Sequence, residues 1–166
     1  MKINWVACAL MVLSFSAVAD TDLQFKGVLI SDPCIVDTDS EEQVVDMGTI
    51  AAKTFINHQR SAPKKFKILL KECDLSLGNT VSVTFDGKED NDQPGTFAVT
   101  GDASGIAIAL EETDGKPIKP GAELKPVQLN QGDTVLNYIA YVQGSDFSKV
   151  KEGAFESKTV FFLEYD

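Results

Sequence analysis

The chain has 166 residues, is 43% hydrophobic and 24% charged, and carries a formal net charge of −10. An acidic chain of this kind has no electrostatic footprint for nucleic acid or for an anionic membrane surface. Its single histidine also excludes a zinc site built on two or three imidazoles.

The N-terminus reads Met1-Lys2, then an apolar stretch from Val6 to Val18, then Ala17-Val18-Ala19 ahead of Asp20. One positive charge, a short apolar core and a small-residue cleavage site predict a secretory signal peptide over residues 1–19, too short and wrongly flanked for a membrane span. A lipoprotein anchored at Cys8 is the competing reading. Against it, the apolar core mostly follows that cysteine and no leucine stands three residues before it. Cleavage removes only Lys2 from the charge tally, so the mature chain is more acidic still, and it remains long enough for one ordinary domain. Cleavage also removes Cys8, leaving Cys34 and Cys73. Two cysteines in an exported chain predict one disulfide. Closing a loop of roughly 40 residues destabilises the unfolded chain by roughly 4 kcal/mol in the entropy model.

In the mature chain, Leu23-Gln24-Phe25-Lys26-Gly27-Val28-Leu29-Ile30 alternates, with Leu23, Phe25, Gly27 and Leu29 on one face. By periodicity alone this reads first as an ordinary first strand that pairs within its own molecule. The stretch Glu42 to Phe55 has room for a helical turn. Extended runs are predicted at Val44-Val45, Phe66 to Leu70, Val81 to Phe85, Thr96 to Val99, Ile106 to Leu110, within Lys116 to Leu129, at Val135 to Val142 and at Thr159 to Tyr165. Asp86-Gly87, Pro94-Gly95, Gly101-Asp102, Asp114-Gly115, Pro120-Gly121 and Gly132-Asp133 punctuate them as turns. Many short strands without a repeat or linker read as one β-sandwich. Phe161, Leu163 and Tyr165 share a face of the last strand, and the sequence stops at Asp166, so nothing follows that strand to pair with it.

No catalytic residue, metal site or cofactor is predicted. A serine-histidine-carboxylate triad would need His58, which sits in a polar Asn57-His58-Gln59-Arg60 stretch without a nucleophile elbow and reads as a solvated loop residue. The acidic groups Asp37 to Glu42 and Glu89 to Asp92 lack the spacing and glycine of a calcium loop and read as solvated surface. The segment Thr100 to Gly105 lacks the lysine and helix context of a phosphate loop and reads as a hairpin.

Several of these residues together resemble the subunits of chaperone/usher pili, which form adhesive bacterial surface fibres. They are the alternating Leu23, Phe25, Gly27, Leu29 segment, Pro33-Cys34 closing it, the second cysteine at 73, Tyr165 in the penultimate place, and Gly153 fourteenth from the C-terminus. The stretch Val81 to Gly87, with Pro94-Gly95 and Ile106 to Gly121, is most similar to minor tip-fibre subunits. The resemblance implies an all-β, incomplete immunoglobulin-like sandwich lacking its last strand, completed by a donor strand from another subunit. Residues 20–32 would form the donor extension and 33–166 the pilin domain. Leu23, Phe25, Gly27 and Leu29 would be the donor residues. Phe161, Leu163 and Tyr165 would line the acceptor groove, with Asp166 anchored in the basic cleft of a periplasmic chaperone. The implied partners are that chaperone, an outer-membrane usher and neighbouring subunits, and the destination is the cell-surface fimbrium. The implied function is a structural minor or adaptor subunit polymerising by donor-strand exchange. A receptor-binding adhesin and a self-sufficient secreted immunoglobulin-like binding domain are the alternatives.

Overall fold

The computed structural model describes residues 24–29 and 31–166. The predicted signal peptide and Leu23 lie outside the described residues. Residues up to Ile30 form one unit and Ser31–Asp166 another; the fold is that of the second.

In chain order, β1 (Ile35–Val36) leads through α1 (Thr38–Glu41) and α2 (Thr54–Asn57) to β2 (Lys64–Cys73) and β3 (Thr80–Gly87). Four short pieces and one longer strand follow: β4 (Phe97–Ala98), β5 (Thr100–Gly101), β6 (Ala107–Glu112), β7 (Pro117–Ile118) and β8 (Val127–Gln128). The chain then forms β9 (Gly132–Gln143), β10 (Phe155–Glu156) and β11 (Thr159–Tyr165). The larger sheet has the order β1-β2-β9-β6-β4 with β7 added to β6, the smaller sheet has the order β11-β3-β8, and β10 pairs with β5. All of these pairings are antiparallel.

The core lies between the sheets because period-two alternation turns one side chain in two inward. From the larger sheet come Ile68, Leu70, Leu110, Leu136, Tyr138 and Ala140, and from the smaller come Val81, Val83 and Phe85. Phe85 stands edge-on to Tyr138, ring centroids 4.9 Å apart at 84°, and edge-on to Phe66 at 6.1 Å and 80°. Edge-to-face rings at these separations add to simple area burial and so tie the two layers together. A second, smaller cluster of Phe55, Ala103, Ile106 and Val142 shares the partly buried Met47 and Ile108 with the main core.

The predicted disulfide forms between Cys34 and Cys73, 39 residues apart. Alternation after Ile68 and Leu70 would turn residue 72 inward and Cys73 outward. A register shift between Leu70 and Cys73 against β9, with Glu72 at φ 52°, reverses that phase. This β-bulge delivers Cys73, 1% exposed, to Cys34 just ahead of β1.

Most predicted strands occur, several longer than their apolar runs. Val44-Val45 is a correction: it forms no strand, Val44 is exposed, and Val45 packs on the core from irregular backbone. Between Lys116 and Leu129 only β7 and β8 form ladders. The 100–105 segment does belong to a hairpin, β4 with β6, whose loop also carries β5. The helical turns fall at the two sides of the 42–55 stretch, in α1 and α2. Asp37 caps α1, accepting from the Asp39 N–H at 3.2 Å, and pairs with Lys71 at 3.0 Å. The Glu89 to Asp92 group is likewise used locally: Glu89 accepts from the Gly95 N–H, and Asp90 from those of Asp92 and Gln93.

Cys34→Ser is expected to lower the thermal unfolding midpoint by about 10 °C, from a loss on the order of 2–5 kcal/mol, and to cut the yield of exported protein. An unchanged midpoint and yield would show that the bridge contributes little.

Candidate functional site

One strand is incompletely partnered. β11 pairs along one edge with β3, from Thr159 opposite Gly87 to Tyr165 opposite Val81, and among the described residues no strand pairs with its other edge. An edge of this kind presents a row of main-chain N–H and C=O groups to whatever strand lies beside it. Its inward side chains are Phe161, Leu163 and Tyr165, all half-buried and packed on the main core. The Phe161 ring lies 6.5 Å from that of Phe85. Val36, Val45 and Met47 from the segment after Cys34 complete the partly covered apolar rim of the same core, with Phe66 and Ile108.

Both ends of β11 are fixed. At its C-terminal end the N–H groups of Asn79 and Thr80 donate to the Asp166 main-chain oxygen at 2.8 and 3.1 Å, and the Asp166 N–H donates to the Thr80 carbonyl at 3.2 Å. Gly78 makes this possible, because a Cβ there would stand 2.8 Å from Pro33 Cγ and 3.2 Å from the Asp166 oxygen. At the other end β10 is pressed against the 100–105 segment. A Cβ on Gly153 would meet Ala103 N and Asp102 C at 2.6 Å, and one on Gly101 or Gly105 would run into the Ala154 or Lys149 carbonyl.

Tyr165 has a hydroxyl that is buried and makes no hydrogen bond. Burial, and then the nearby Asp32 carboxylate, raises its phenol above the ordinary value. A depression of about 260 Å³ lies over the smaller core, lined by Ile50, Phe55, Ile106, Val142, Gly153 and Phe155 among others.

Of the predicted donor residues, Phe25 is 86% and Leu29 100% exposed, and nothing lies within 4 Å of where a Gly27 Cβ would stand. Leu23 falls outside the described residues. His58 is exposed beyond α2. No group of three or more metal-ligating side chains occurs among the described residues, and no helix among them is long and apolar enough to cross a membrane. Three features were not anticipated from the sequence: the packing of Val36, Val45 and Met47 on the core, the Gly78 to Thr80 clasp on Asp166, and the depression over the smaller core. The alternation Val45-Asp46-Met47 is the one local signal for the first. The other two arise only when distant segments meet.

The sequence profile of the family described as "Fimbrial protein" matches residues 23–166. The chain belongs to the fimbrial protein family. Fimbria A protein of Serratia marcescens is 36% identical, over 99% of both chains. A Proteus mirabilis protein named as a minor fimbrial subunit is 30% identical, covering 94% of this chain and 93% of its own. The crystal structure of the P pilus rod subunit PapA superposes with a TM-score of 0.73 at 28% identity, over 81% of this chain and all of that one. The fold is thus the all-β, immunoglobulin-like fold of pilus subunits, with its one disulfide, and this fimbrial subunit is a structural element of surface pili and not an enzyme.

Gly78→Val is expected to push Pro33 and Asp166 apart and to speed hydrogen exchange at the Asn79 and Thr80 amides on the order of tenfold or more, a loss of about 1.4 kcal/mol of local protection. Unchanged exchange would mean that the clasp does not hold the end of β11.

Proposed function

We propose that this fimbrial subunit polymerises by donor-strand exchange, with Leu23, Phe25, Gly27 and Leu29 of one subunit lying along the open edge of β11 in the next. The observation that carries this reading is the pairing of β11, among the described residues, on one edge only, above a half-covered row of Phe161, Leu163 and Tyr165. An added strand would satisfy the free edge and cover that row at once. Burying Leu23, Phe25 and Leu29 is worth about 1.5–3 kcal/mol each, so no nucleotide is needed to drive the step. Gly27 would sit where two backbones approach too closely for a side chain. Before exchange, a periplasmic chaperone would supply the strand and hold the exposed Asp166 carboxylate in a basic cleft, and an outer-membrane usher would receive the complex. Export would begin with removal of residues 1–19.

Within the fibre, we favour a repeating subunit, supported by the likeness to a rod subunit over that chain's whole length. The minor or adaptor place expected from the stretch Val81 to Gly121 is the second reading, supported by the relative named as a minor subunit. Gold labelling of the chain on fibres separates the two: label along the shaft supports the first, and label confined to tips supports the second.

The exchange itself is tested on a chain lacking residues 20–31. A peptide of sequence Asp20 to Ser31, or its counterpart from a sister subunit, is expected to raise the unfolding midpoint by on the order of 10 °C. A cooperative, high-melting monomer indifferent to every such peptide would sink the reading. In the full chain, Phe25→Asp should leave chaperone co-purification intact and abolish polymers. Loss of chaperone binding instead would mean that the groove is formed by the other end of the chain.

A further inference from the structure

The main-chain groups on the unbonded edge of β11 can be assigned residue by residue. Thr80 and Asp166 exchange both of their bonds, Thr80 N–H donating to the Asp166 oxygen at 3.1 Å and Asp166 N–H to the Thr80 carbonyl at 3.2 Å. In an antiparallel ladder such pairs alternate with unbonded ones, so Glu164, Phe162 and Val160 also bond to β3, opposite Ser82, Thr84 and Asp86. The far side of β3 agrees, because the Val83 and Phe85 carbonyls accept from the Leu124 and Gly121 N–H groups, away from β11. The N–H and C=O groups of Thr159, Phe161, Leu163 and Tyr165 therefore point away from β3, and among the described residues no strand takes them. The outward side chains of the same strand are apolar at its middle, with Val160 59% and Phe162 56% exposed. Its charges lie towards the ends, at Lys158, Glu164 and Asp166.

We propose that two copies of this chain cap one another by pairing β11 with β11 across a twofold axis through Phe162. Identical strands related in this way run antiparallel, the more stable kind of pairing, and the contact closes on itself. With the axis at Phe162, Phe161 of each copy lies opposite Leu163 of the other and Thr159 opposite Tyr165, so every outward-pointing residue meets another. An axis at Phe161 or Leu163 leaves one of those residues on each copy without a strand partner. An axis between two residues sets outward-pointing groups against groups already bonded to β3. The side chains favour the same register. The two Phe162 rings meet across the axis in an unbonded pair, where side chains stand closest. Glu164 falls opposite Val160, so no like charges are opposed, and Asp166 falls opposite Lys158 beyond each end. The Lys158 side chain is 87% exposed and paired only with Glu156, at 3.7 Å. This pair needs no donor segment and does not rest on the proposed donation. It occupies the edge that donation would use, so a capped copy accepts no donor, and any strand that fills the edge first prevents capping.

The test uses the full mature chain carrying Phe25→Asp, which removes polymers from the mixture, with the Cys34–Cys73 bridge confirmed by mass mapping. Sedimentation at micromolar concentration should give twice the monomer mass. Phe162→Cys should form a covalent dimer on mild oxidation, because the Cα atoms of an unbonded antiparallel pair lie about 4.5 Å apart, within disulfide reach. Val160→Cys is equally exposed but lies roughly 14 Å from its own copy across the axis, and should not link. Phe162→Lys sets two ammonium groups against each other and should halve the mass while leaving the far-UV circular dichroism unchanged, since that side chain faces solvent. Equal linking of both cysteine variants, a dimer that Phe162→Lys leaves intact, or a chain that stays unfolded on its own would each overturn the capped pair. A monomeric chain that the Asp20 to Ser31 peptide still stabilises overturns the pair and leaves the donation reading standing. A Phe162-linked dimer indifferent to that peptide supports the pair and counts against donation.

Discussion

The constraint on which the structure turns is that, among the described residues, β11 is bonded to the sheet along one edge only. A sandwich core needs cover from both layers, and here the smaller layer, β11-β3-β8, stops at a strand whose inner residues are half-buried. The apolar surface of Phe161, Leu163 and Tyr165 and the unbonded main chain beside them have the same remedy, one more strand. Neither shortfall is relieved by rearranging the side chains already present. The aromatic contacts of Phe85 with Phe66 and Tyr138 hold the two layers in place regardless.

An edge left open is useful only if it stays in place, and β11 is held at both ends. The Asn79 and Thr80 N–H groups grip Asp166, and close backbone packing around Gly153, Gly101 and Gly105 fixes the segment leading in. The disulfide adds a third restraint, tying the chain ahead of β1 to the end of β2. A strand fixed in this way is ordered before any partner arrives, so less conformational entropy is lost when one docks. In the proposed assembly the ordering cost falls on the incoming segment. That segment is short, alternating and, in residues 24–29, exposed.

Much of this was legible in the sequence because it depends on period-two alternation within single segments. β2, β3, β6, β9 and β11 each announce themselves by mostly apolar residues at every second position, and the turn glycines separate many of them. The failures share a cause. Val44-Val45 has strand-like residues but no ladder partner, and the runs predicted at Thr96 to Val99 and within Lys116 to Leu129 do form ladders, as β4, β7 and β8, but only two residues long, because their extent is decided by the neighbour they meet. The bulge at Glu72 was invisible because inward Ile68 and Leu70 imply the opposite phase for Cys73. The clasp on Asp166 joins residues far apart in sequence, and no local pattern in Gly78-Asn79-Thr80 distinguishes it from an ordinary turn. The open edge of β11 was suggested by family resemblance more than by any residue in the strand.

The same alternation that exposes the groove also gives β11 a second surface. Phe161, Leu163 and Tyr165 face the core while Val160, Phe162 and Glu164 face away, so one strand carries two unrelated apolar rows. A register slip of one residue would exchange them, which explains why register along β11 is secured from Thr159 to Tyr165 and clasped beyond it at Asp166. In a fibre built as proposed, the inner row sets the strength of each longitudinal joint, while the outer row stays on the surface of the smaller sheet.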